Sequence, residues 1–365
     1  MTEIYSRLEE AHLLFFEYGI TALDAYLDEK PRPLKFLAVQ CSLVELARVF
    51  DILEYPNLPY ADASLCDEVR FICTEDALEE NLGSPWMNFK RSPSTGVYYD
   101  KGDIYNSLKA RNIQPSSSEY SEIERSLFDF TLLATLSELP PKTIGSIALP
   151  PSPSVLFQRD LLIGILSGPY PVSGFEVLKQ SGFIAREWPE IALLDNVDHS
   201  KDFHPEGNGW NHTMQTFSYR KTRDITLSLA LLLHDIGKSE SKSQKGHRFD
   251  RHAELGAKRA EKFLSRLGFS EEIQEDVKFL IRYHMMPAAL PILPVQKTEA
   301  LIRDPRFSVL LELFRCDEFS SFKNAERYYD ACNMYQSIRR NLRNPYRKAD
   351  GSKIHASKRS YSHFS

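Results

Sequence analysis

The stretch "LSLALLLHDIGKSE", residues 227–240, decides how the second half of the chain folds. Its first seven residues are almost all apolar, which predicts a helix that is buried on most sides. His234 follows Leu231 and Leu227 at spacings of three and seven, so it continues the apolar stripe of that helix. Asp235 comes next, and an ionised carboxylate in an apolar site is unfavourable unless it is paired or bound to a metal. The stretch therefore predicts either a buried ion pair or a metal site at the end of the helix.

Other histidines and an aspartate also lie beside apolar helix residues in the second half of the chain. His212 lies in "WNHTMQTF" and His252 in "FDRHAELGA", where a new helix begins. His284 and Asp317 each follow apolar residues at spacings of three, four and seven, which places both on buried helix stripes. One such residue is usually a hydrogen-bonded core side chain, but several together with two aspartates favour a metal centre. Imidazole and carboxylate ligands suit Mn, Fe, Ni, Co, Zn or Mg.

A metal centre of this kind has a defined chemistry. A bound divalent cation lowers the pKa of its water and polarises a phosphoryl oxygen. Lys238, one turn beyond the ligands, is positioned to hold a phosphate as a point charge, although a solvated lysine at a helix end is the common alternative. The competing interpretation of the whole set is separate buried ion pairs, with Asp235 and Asp317 bound by Arg248, Arg251 or Arg315.

Length and composition limit the class of protein. The 365 residues predict two or three domains, and 42% hydrophobic with 26% charged residues is ordinary for a globular protein. A formal net charge of −5 does not mark the whole chain as a binder of nucleic acid or membranes, and no apolar run is long enough to cross a bilayer. Five scattered cysteines without a CxxC pair argue against a disulfide framework and a cysteine zinc site. We expect a cytoplasmic protein.

Changes of composition along the chain predict its domains. Residues 1–140 mix helical and strand-like runs, and the next segment, 141–154, is rich in proline and reads as a linker. Residues 155–335 show helical spacing almost throughout. Residues 336–365 are basic and poor in core residues, which predicts a mobile tail, with a solvated terminus favoured over an RNA-binding arm.

The order His212, His234–Asp235, Asp317, with "HDIGK" intact, resembles the HD-domain superfamily of metal-dependent phosphohydrolases. The segment "GFEVLKQSGFIAREWPEIALLDNVDHSKDFHPEGNGWNHTMQTF" is similar to the one that introduces the HD domain in bacterial multifunctional tRNA nucleotidyltransferases, the CCA-adding enzyme and poly(A) polymerase family. The resemblance covers roughly residues 155–330. It implies a mainly α fold, with an all-helical HD domain preceded by a smaller α/β domain.

The resemblance also implies roles for individual residues. His212, His234, Asp235 and Asp317 would be the core metal ligands, with Asp235 and Lys238 as the catalytic pair. His252 and His284 match extra histidines that in some members hold a second metal or bind the substrate phosphate.

The first half resembles the same nucleotidyltransferases in a degenerate form. "IERSLFDFTLLATLSE" is similar to their "RRDFTINALAY" signature, with Arg125, Asp129, Phe130 and Thr131 at the corresponding positions. "PLKFLAVQCSLVELARVF" falls where the family has its phosphate-binding turn, but it lacks the glycines. In "CDEVRF" the carboxylates of Asp67 and Glu68 are adjacent, and neighbours on a strand point to opposite faces. These departures disfavour nucleotide transfer.

The resulting prediction is a metal-dependent phosphohydrolase that acts on a nucleotide-type phosphate ester through a metal-activated water. Its cofactor would be one or two divalent ions, Mn, Ni, Fe, Co or Mg, and its partner a small-molecule nucleotide, with RNA contact through the basic tail as a weaker expectation and no membrane partner. The alternative is a non-catalytic regulatory or RNA-interacting protein that binds a metal or nucleotide on an HD fold.

Overall fold

The computed structural model describes residues 2–66, 68–110, 113, 123–139, 147–197, 207–239, 251–321 and 325–354. The chain divides into two compact units. Unit 1 comprises residues 1–192, 222–228 and 262–271, and unit 2 comprises residues 193–221, 229–261 and 272–365. Unit 1 contains a β-sheet with helices, and the described part of unit 2 is almost wholly helical. The predicted fold class, mainly α with a smaller α/β region first, is confirmed.

Unit 1 is organised around a six-stranded sheet with the order β3-β4-β2-β1-β5-β6. Its strands are β1 (Phe15–Tyr18), β2 (Lys35–Gln40), β3 (Ala63–Leu65), β4 (Val69–Thr74), β5 (Phe89–Arg91) and β6 (Tyr98–Asp100). Strands β2 and β4 pair in parallel, with Lys35 opposite Val69, and the other neighbours are antiparallel. Five of the six residues of β2, "KFLAVQ", are buried, as is typical of a strand covered on both faces.

The helices of unit 1 come before, between and after these strands. They are α1 (Thr2–Glu10), α2 (Ile20–Tyr26), α3 (Leu43–Val49), α4 (Tyr105–Lys109), α5 (Ile123–Ala134), α6 (Val155–Ser167), α7 (Pro171–Gln180), α8 (Phe183–Glu187) and α9 (Pro189–Ala192). Helix α3 begins with a capping box, in which the Ser42 hydroxyl accepts from the Glu45 amide and the Glu45 carboxylate accepts from the Ser42 amide.

A buried ion pair joins the sheet of unit 1 to helix α6. The Arg70 guanidinium on β4 donates through Nε and Nη2 to the two carboxylate oxygens of Asp160, each at 2.7 Å, and the Tyr60 hydroxyl lies 3.2 Å from the same carboxylate. The side chains of Arg70 and Asp160 are 1% and 0% exposed. This pair helps to explain why α6 to α9 belong to unit 1. The division at residue 192 therefore differs from the predicted domain start at 155, because apolar helical spacing does not reveal which core a helix joins.

No glycine stands where the phosphate-binding turn was expected. "PLKFLAVQCSLVELARVF" forms β2 and α3 and lacks the glycines, as predicted. A strand-to-helix turn with a glycine of positive φ, 53°, occurs earlier, at Gly19 between β1 and α2. A Cβ at this glycine would lie 2.4 Å from the Met87 sulfur, so the turn packs closely against Met87. Asp67 lies outside the described residues.

Unit 2 contains most of the remaining helices. They are α10 (Gly209–Thr216), α13 (Glu271–Tyr283), α14 (Met286–Ala289), α15 (Val295–Arg303), α16 (Phe307–Ser320) and α17 (Glu326–Arg343), while α11 (Ile225–Leu233) and α12 (His252–Arg266) each have residues in both units. Among the described residues, no helix combines the length and apolarity needed to cross a membrane.

The basic segment 336–365 is more ordered than the sequence predicted. Residues 336–343 complete helix α17, and residues 344–354 form a turn closed by a β-bridge between Arg347 and Lys353. The prediction of a mobile tail was therefore wrong for residues 336–354. The turn is held by hydrogen bonds between polar groups, which hydrophobic patterning does not register. Residues 355–365 lie outside the described part of the chain.

Candidate metal centre

Six predicted site residues of unit 2 come together at the ends of its helices. His212 is on α10, Asp317 is on α16, and His252 begins α12. His234 and Asp235 directly follow α11, and His284 directly follows α13. All six residues are buried except His252, which is partly exposed. The structure therefore brings together every residue that was predicted to hold a metal.

These residues form two groups of three potential ligands. In the first, the ligand atoms of His212, His234 and Asp317 all lie within 4.8 Å of one another. His212 Nε2 is 3.0 Å from Asp317 Oδ1, and His234 Nε2 is 3.9 Å from the same oxygen.

The second group is Asp235, His252 and His284, within the same 4.8 Å limit. His252 Nε2 is 3.2 Å from His284 Nε2 and 3.9 Å from Asp235 Oδ1. The other oxygen of Asp235 is 3.4 Å from His234 Nε2, and it lies 3.7 Å from His212 Nε2. Asp235 therefore has one oxygen towards each group, which is the arrangement expected of a carboxylate shared by two cations.

Hydrogen bonds fix the tautomer of three histidines. His234 Nδ1 donates to the Leu231 carbonyl at 2.8 Å, and His284 Nδ1 donates to the Ile281 carbonyl at 2.7 Å. The Ser320 hydroxyl donates to the Asp317 carbonyl, so its oxygen accepts from His212 Nδ1 at 3.3 Å. In the neutral ring this leaves the lone pair on Nε2, the atom that faces the cluster in all three cases.

At the centre of the cluster the hydrogen-bond acceptor atoms outnumber the donors. His234 Nε2 is buried and has no hydrogen-bond partner. A neutral His212 would place its Nε2 lone pair 3.0 Å from a carboxylate oxygen of Asp317, an unfavourable contact between two acceptors. A cation between these atoms would bind the lone pairs of all of them. In metal sites the ligating histidines commonly donate their other ring N–H to a second partner, as these histidines do. The donor set of imidazole and carboxylate therefore fits a divalent transition metal or Mg²⁺.

The charge states of the cluster agree with this fit. Burial lowers the pKa of His284 to about 4, with a further contribution from His252 and His234, so His284 is neutral at pH 7. Burial opposes ionisation of Asp235, but His234 and Lys238 outweigh it and hold the pKa of Asp235 well below its usual value. Asp317 behaves in the same way, because contact with the protonated forms of His212 and His234 outweighs burial and lowers its pKa. The centre therefore offers the neutral imidazole of His284 beside two ionised carboxylates, which are forms that bind metals.

Lys238 is part of this cluster. Its ammonium group donates to Asp235 Oδ2 at 2.5 Å, and its side chain is 13% exposed. The interpretation as a solvated lysine at a helix end therefore does not hold. Its predicted catalytic role remains a proposal.

The alternative of separate arginine ion pairs finds no support in the described residues. The Arg315 guanidinium donates to the Glu312 carboxylate. No arginine of the described ranges pairs with Asp235 or Asp317, and Arg248 lies outside those ranges.

A close backbone crossing positions the two groups relative to each other. A Cβ added at Gly237, just after Asp235, would lie 2.1 Å from the His252 carbonyl oxygen and 2.4 Å from the Gly256 amide nitrogen. Real Cβ atoms are never found at these distances from main-chain atoms. Gly237 is therefore required so that the turn after α11 can approach the first turn of α12, which carries His252.

Substitution of Gly237 by alanine should disturb both stability and the site. We expect Gly237→Ala to lower the free energy of unfolding by roughly 1–3 kcal/mol, because main-chain atoms must move apart. The matched control is Gly256→Ala in α12, where an added Cβ would meet only ordinary contacts at 3.4–3.5 Å. The control should be neutral or stabilising, since alanine favours helix. Urea unfolding of both variants measures the difference, and equal stability of the two would contradict the role of Gly237.

Sequence reasoning missed the residues that orient the ligands. Ser320 fixes the His212 tautomer, and the carbonyls of Leu231 and Ile281 fix those of His234 and His284. The only available signal was the spacing of three between Asp317 and Ser320, which places both on one helix face. His204 and Glu206, from the "HPEG" run, lie outside the described residues.

Comparisons with known proteins agree with this geometry. Residues 209–304 match the family model described as HD domain, so the chain contains an HD domain. Its curated relatives include the multifunctional CCA protein of Dechloromonas aromatica, 31% identical over 44% of this chain and 41% of the relative. Another is the multifunctional CCA protein of Alkalilimnicola ehrlichii, 33% identical over 32% of this chain and 28% of the relative. Each alignment covers less than half of the relative's length.

Among solved structures, a Bacillus stearothermophilus CCA-adding enzyme in complex with CTP aligns with 93% of this chain and 80% of its own chain, with a TM-score of 0.44 and 11% identity.

The relatives overturn the prediction of a phosphohydrolase. The relatives reported above are named as multifunctional CCA proteins, and neither of them carries the name of a phosphohydrolase. The prediction was wrong because the HD residues specify a set of metal ligands, whereas the reaction depends on what else contacts the substrate.

Proposed function

We propose that this chain is an enzyme that acts on nucleotides at the 3′ end of tRNA, and that its HD domain is a divalent-metal centre. The names of the curated relatives support the first part of the proposal. The observation that carries the second part is the unpartnered, buried Nε2 of His234, which faces two carboxylates and two further imidazoles.

The ligands divide naturally between two cation positions. His212, His234 and Asp317 would hold one cation, and His252 with His284 would hold a second, with Asp235 contributing an oxygen to each. A cation bound there would attract and polarise a nucleotide phosphate. Lys238 would hold the Asp235 carboxylate in place through its hydrogen bond and would add positive charge beside the phosphate.

Nucleotidyl transfer is the reaction class that the relatives favour, and unit 1 offers a cavity of suitable size for it. A cavity of about 610 Å³ lies at the carboxyl ends of the parallel strands β2 and β4, in the size range of small-molecule sites. Its lining includes the carboxylates of Glu45, Asp62 and Glu75. Ligands of open α/β sheets bind at this end of the strands, and Mg²⁺ prefers carboxylate ligands.

Two measurements on the full chain test the two parts separately. Metal content by mass spectrometry should give one or two equivalents of a divalent ion for the wild type. Incubation with labelled CTP or ATP, Mg²⁺ and a tRNA transcript that lacks its CCA end should label the RNA. Bound metal without labelling would overturn nucleotidyl transfer and leave the metal centre standing. Labelling of the RNA without bound metal in the HD domain would overturn the metal centre and leave nucleotidyl transfer standing.

A further inference from the structure

The last described segment of unit 2, residues 344–354, is a small closed turn that we name the basic hairpin. Lys348 N donates to the Ser352 carbonyl at 2.8 Å, and Ile354 N donates to the Tyr346 carbonyl at 3.0 Å. The β-bridge pairs Arg347 with Lys353 in antiparallel orientation. The hairpin is therefore a defined structure, in which side-chain positions follow from backbone hydrogen bonds.

Two contacts hold the basic hairpin against neighbouring helices. Asn341 Nδ2, on the last turn of α17, donates to the Ala349 carbonyl at 3.1 Å, and Ala349 itself is buried. Gln296 Nε2 on α15 donates to Asp350 Oδ2 at 3.0 Å. Because the tip of the hairpin is held by two helices, its outward side chains are presented from a fixed support.

Most of the outward side chains are basic and lack an anionic partner. Among the described residues, no carboxylate forms an ion pair with Arg340, Arg343, Arg347 or Lys353, all of which are exposed, whereas Asp350 interacts electrostatically with Lys348. Other arginines of unit 2 are paired, such as Arg303 with Glu299 and Arg306 with Asp304. The favourable effect of cations at a helix carboxyl end accounts for Arg340 and Arg343 at the end of α17. It does not account for the three cations of the hairpin.

The bridge itself places two like charges opposite each other. Residues that face each other across an antiparallel pair have Cβ atoms about 4.5–5.5 Å apart and on the same face, and like charges in this position are destabilising. The Arg347 guanidinium has one partner in the hairpin, the Gly351 carbonyl, at 3.1 Å. An anion bound between Arg347 and Lys353 would remove this repulsion.

The shape of the surface favours a nucleic acid over other polyanions. Tyr346 has 77% of its surface exposed, and the alternation of side chains along the hairpin places it on the same face as Lys348 and on the face opposite to Arg347 and Lys353. Beside the hairpin is a cavity of about 370 Å³, whose charged lining residues are Arg303, Arg347 and Lys348 together with the acidic Glu299 and Asp350. An aromatic ring next to arginine and lysine is the combination on which unpaired bases stack while phosphates bind the cations.

We propose that the basic hairpin, with Arg340 and Arg343, is an RNA-binding surface that contacts phosphates through Arg347 and Lys353 and stacks a base on Tyr346. This inference rests on the proposed function, because that function supplies RNA as a partner. The inference adds the location of an RNA-binding surface and the residues that would contact the RNA, and neither the HD family nor the metal centre implies these.

The test measures RNA affinity as a function of salt. Fluorescence anisotropy with a labelled tRNA transcript would compare the wild-type chain with a double variant, Arg347→Gln with Lys353→Gln, and with a control double variant, Lys258→Gln with Lys278→Gln. Both doubles remove two positive charges from unit 2. Each lost phosphate contact should lower the slope of log Kd against log salt by about 0.7–0.9. We expect a slope reduced by about 1.5 in the hairpin variant and unchanged in the control.

Tyr346→Ala separates stacking from charge. It should weaken binding by about fivefold or more without changing the salt slope, since base stacking does not release counterions. Unchanged affinity and slope in the hairpin double, or an equal loss in the control, would overturn the proposal. Equally tight binding of polyglutamate would also overturn it and would indicate an acidic protein partner.

The metal content of the hairpin double should match the wild type, because the hairpin contributes no candidate ligand to the metal centre. If the wild type neither bound metal nor labelled RNA, the proposed function would fail, whereas a normal metal content with an unchanged salt slope would reject only the RNA surface.

Discussion

Protein carrying Asp235→Ala is expected to bind no divalent metal in the HD domain under conditions where the wild type binds one or two equivalents. Asp235 contributes an oxygen to each ligand group, at 3.4 Å from His234 Nε2 and 3.9 Å from His252 Nε2. Changing a residue that merely orients a ligand commonly weakens metal binding by about 10–100-fold, and loss of a shared ligand should exceed this. Mass spectrometry of the purified protein and a competition titration with a chelator measure the change.

The control for this experiment is another aspartate of unit 2. Asp276 pairs with Arg306 near the surface, and Asp276→Asn should leave the metal content unchanged. Asp235→Asn adds a second comparison, because it keeps the volume of the side chain but removes its charge. If Asp235→Ala retained the full metal content after dialysis, the shared-ligand arrangement would be wrong. If neither it nor the wild type bound metal after reconstitution with Mn, Ni or Fe, the metal centre itself would be rejected.

Asp160→Asn is expected to lower the free energy of unfolding by about 3–5 kcal/mol, because it leaves the Arg70 guanidinium buried without a counter-charge. Arg70 and Asp160 are both fully enclosed, and Tyr60 completes the group. Urea unfolding followed by circular dichroism should show the loss as a lower midpoint. The surface pair Arg303–Glu299 provides the control, since Glu299→Gln should change stability by less than about 1 kcal/mol.

A double replacement distinguishes the loss of a pair from the loss of packing. Arg70→Met with Asp160→Leu removes both charges together and keeps most of the volume. Such replacements are often neutral or stabilising, so the double variant should recover much of the stability lost in Asp160→Asn. A double variant as unstable as the single one would mean that shape, and not charge, governs this position.

The clustering of the candidate ligands could be predicted from the sequence because these residues lie on helix stripes. His284 and Asp317 could be assigned to buried faces from spacings of three, four and seven, and the structure places both at the cluster. The three-residue strands β3, β5 and β6 were too short to show alternation, so the sheet order could not be predicted. The bond from Arg70 to Asp160 spans 90 residues, and no local pattern announces such a contact.

The basic hairpin shows a different limit of sequence reasoning. Its residues contain little that could form a core, which led to the prediction of a mobile tail. Its order comes from Asn341, Gln296 and main-chain hydrogen bonds, which can form without an apolar pattern. Low hydrophobicity is therefore a weak guide where a short segment lies against a helix that is already folded.

Hydrogen bonds already hold the Nδ1 atoms of His212, His234 and His284, so the candidate ligand atoms are in position before an ion binds. Little rearrangement would be needed when an ion binds, and a cage with fixed donors favours ions whose size matches it. Among ions of similar radius, occupancy would follow the intrinsic preference of nitrogen and oxygen donors, which rises from manganese to copper, combined with whichever ion the cell supplies. Preparations from cultures grown on different trace elements should accordingly differ in their ion only among ions of similar radius, while their folding remains the same.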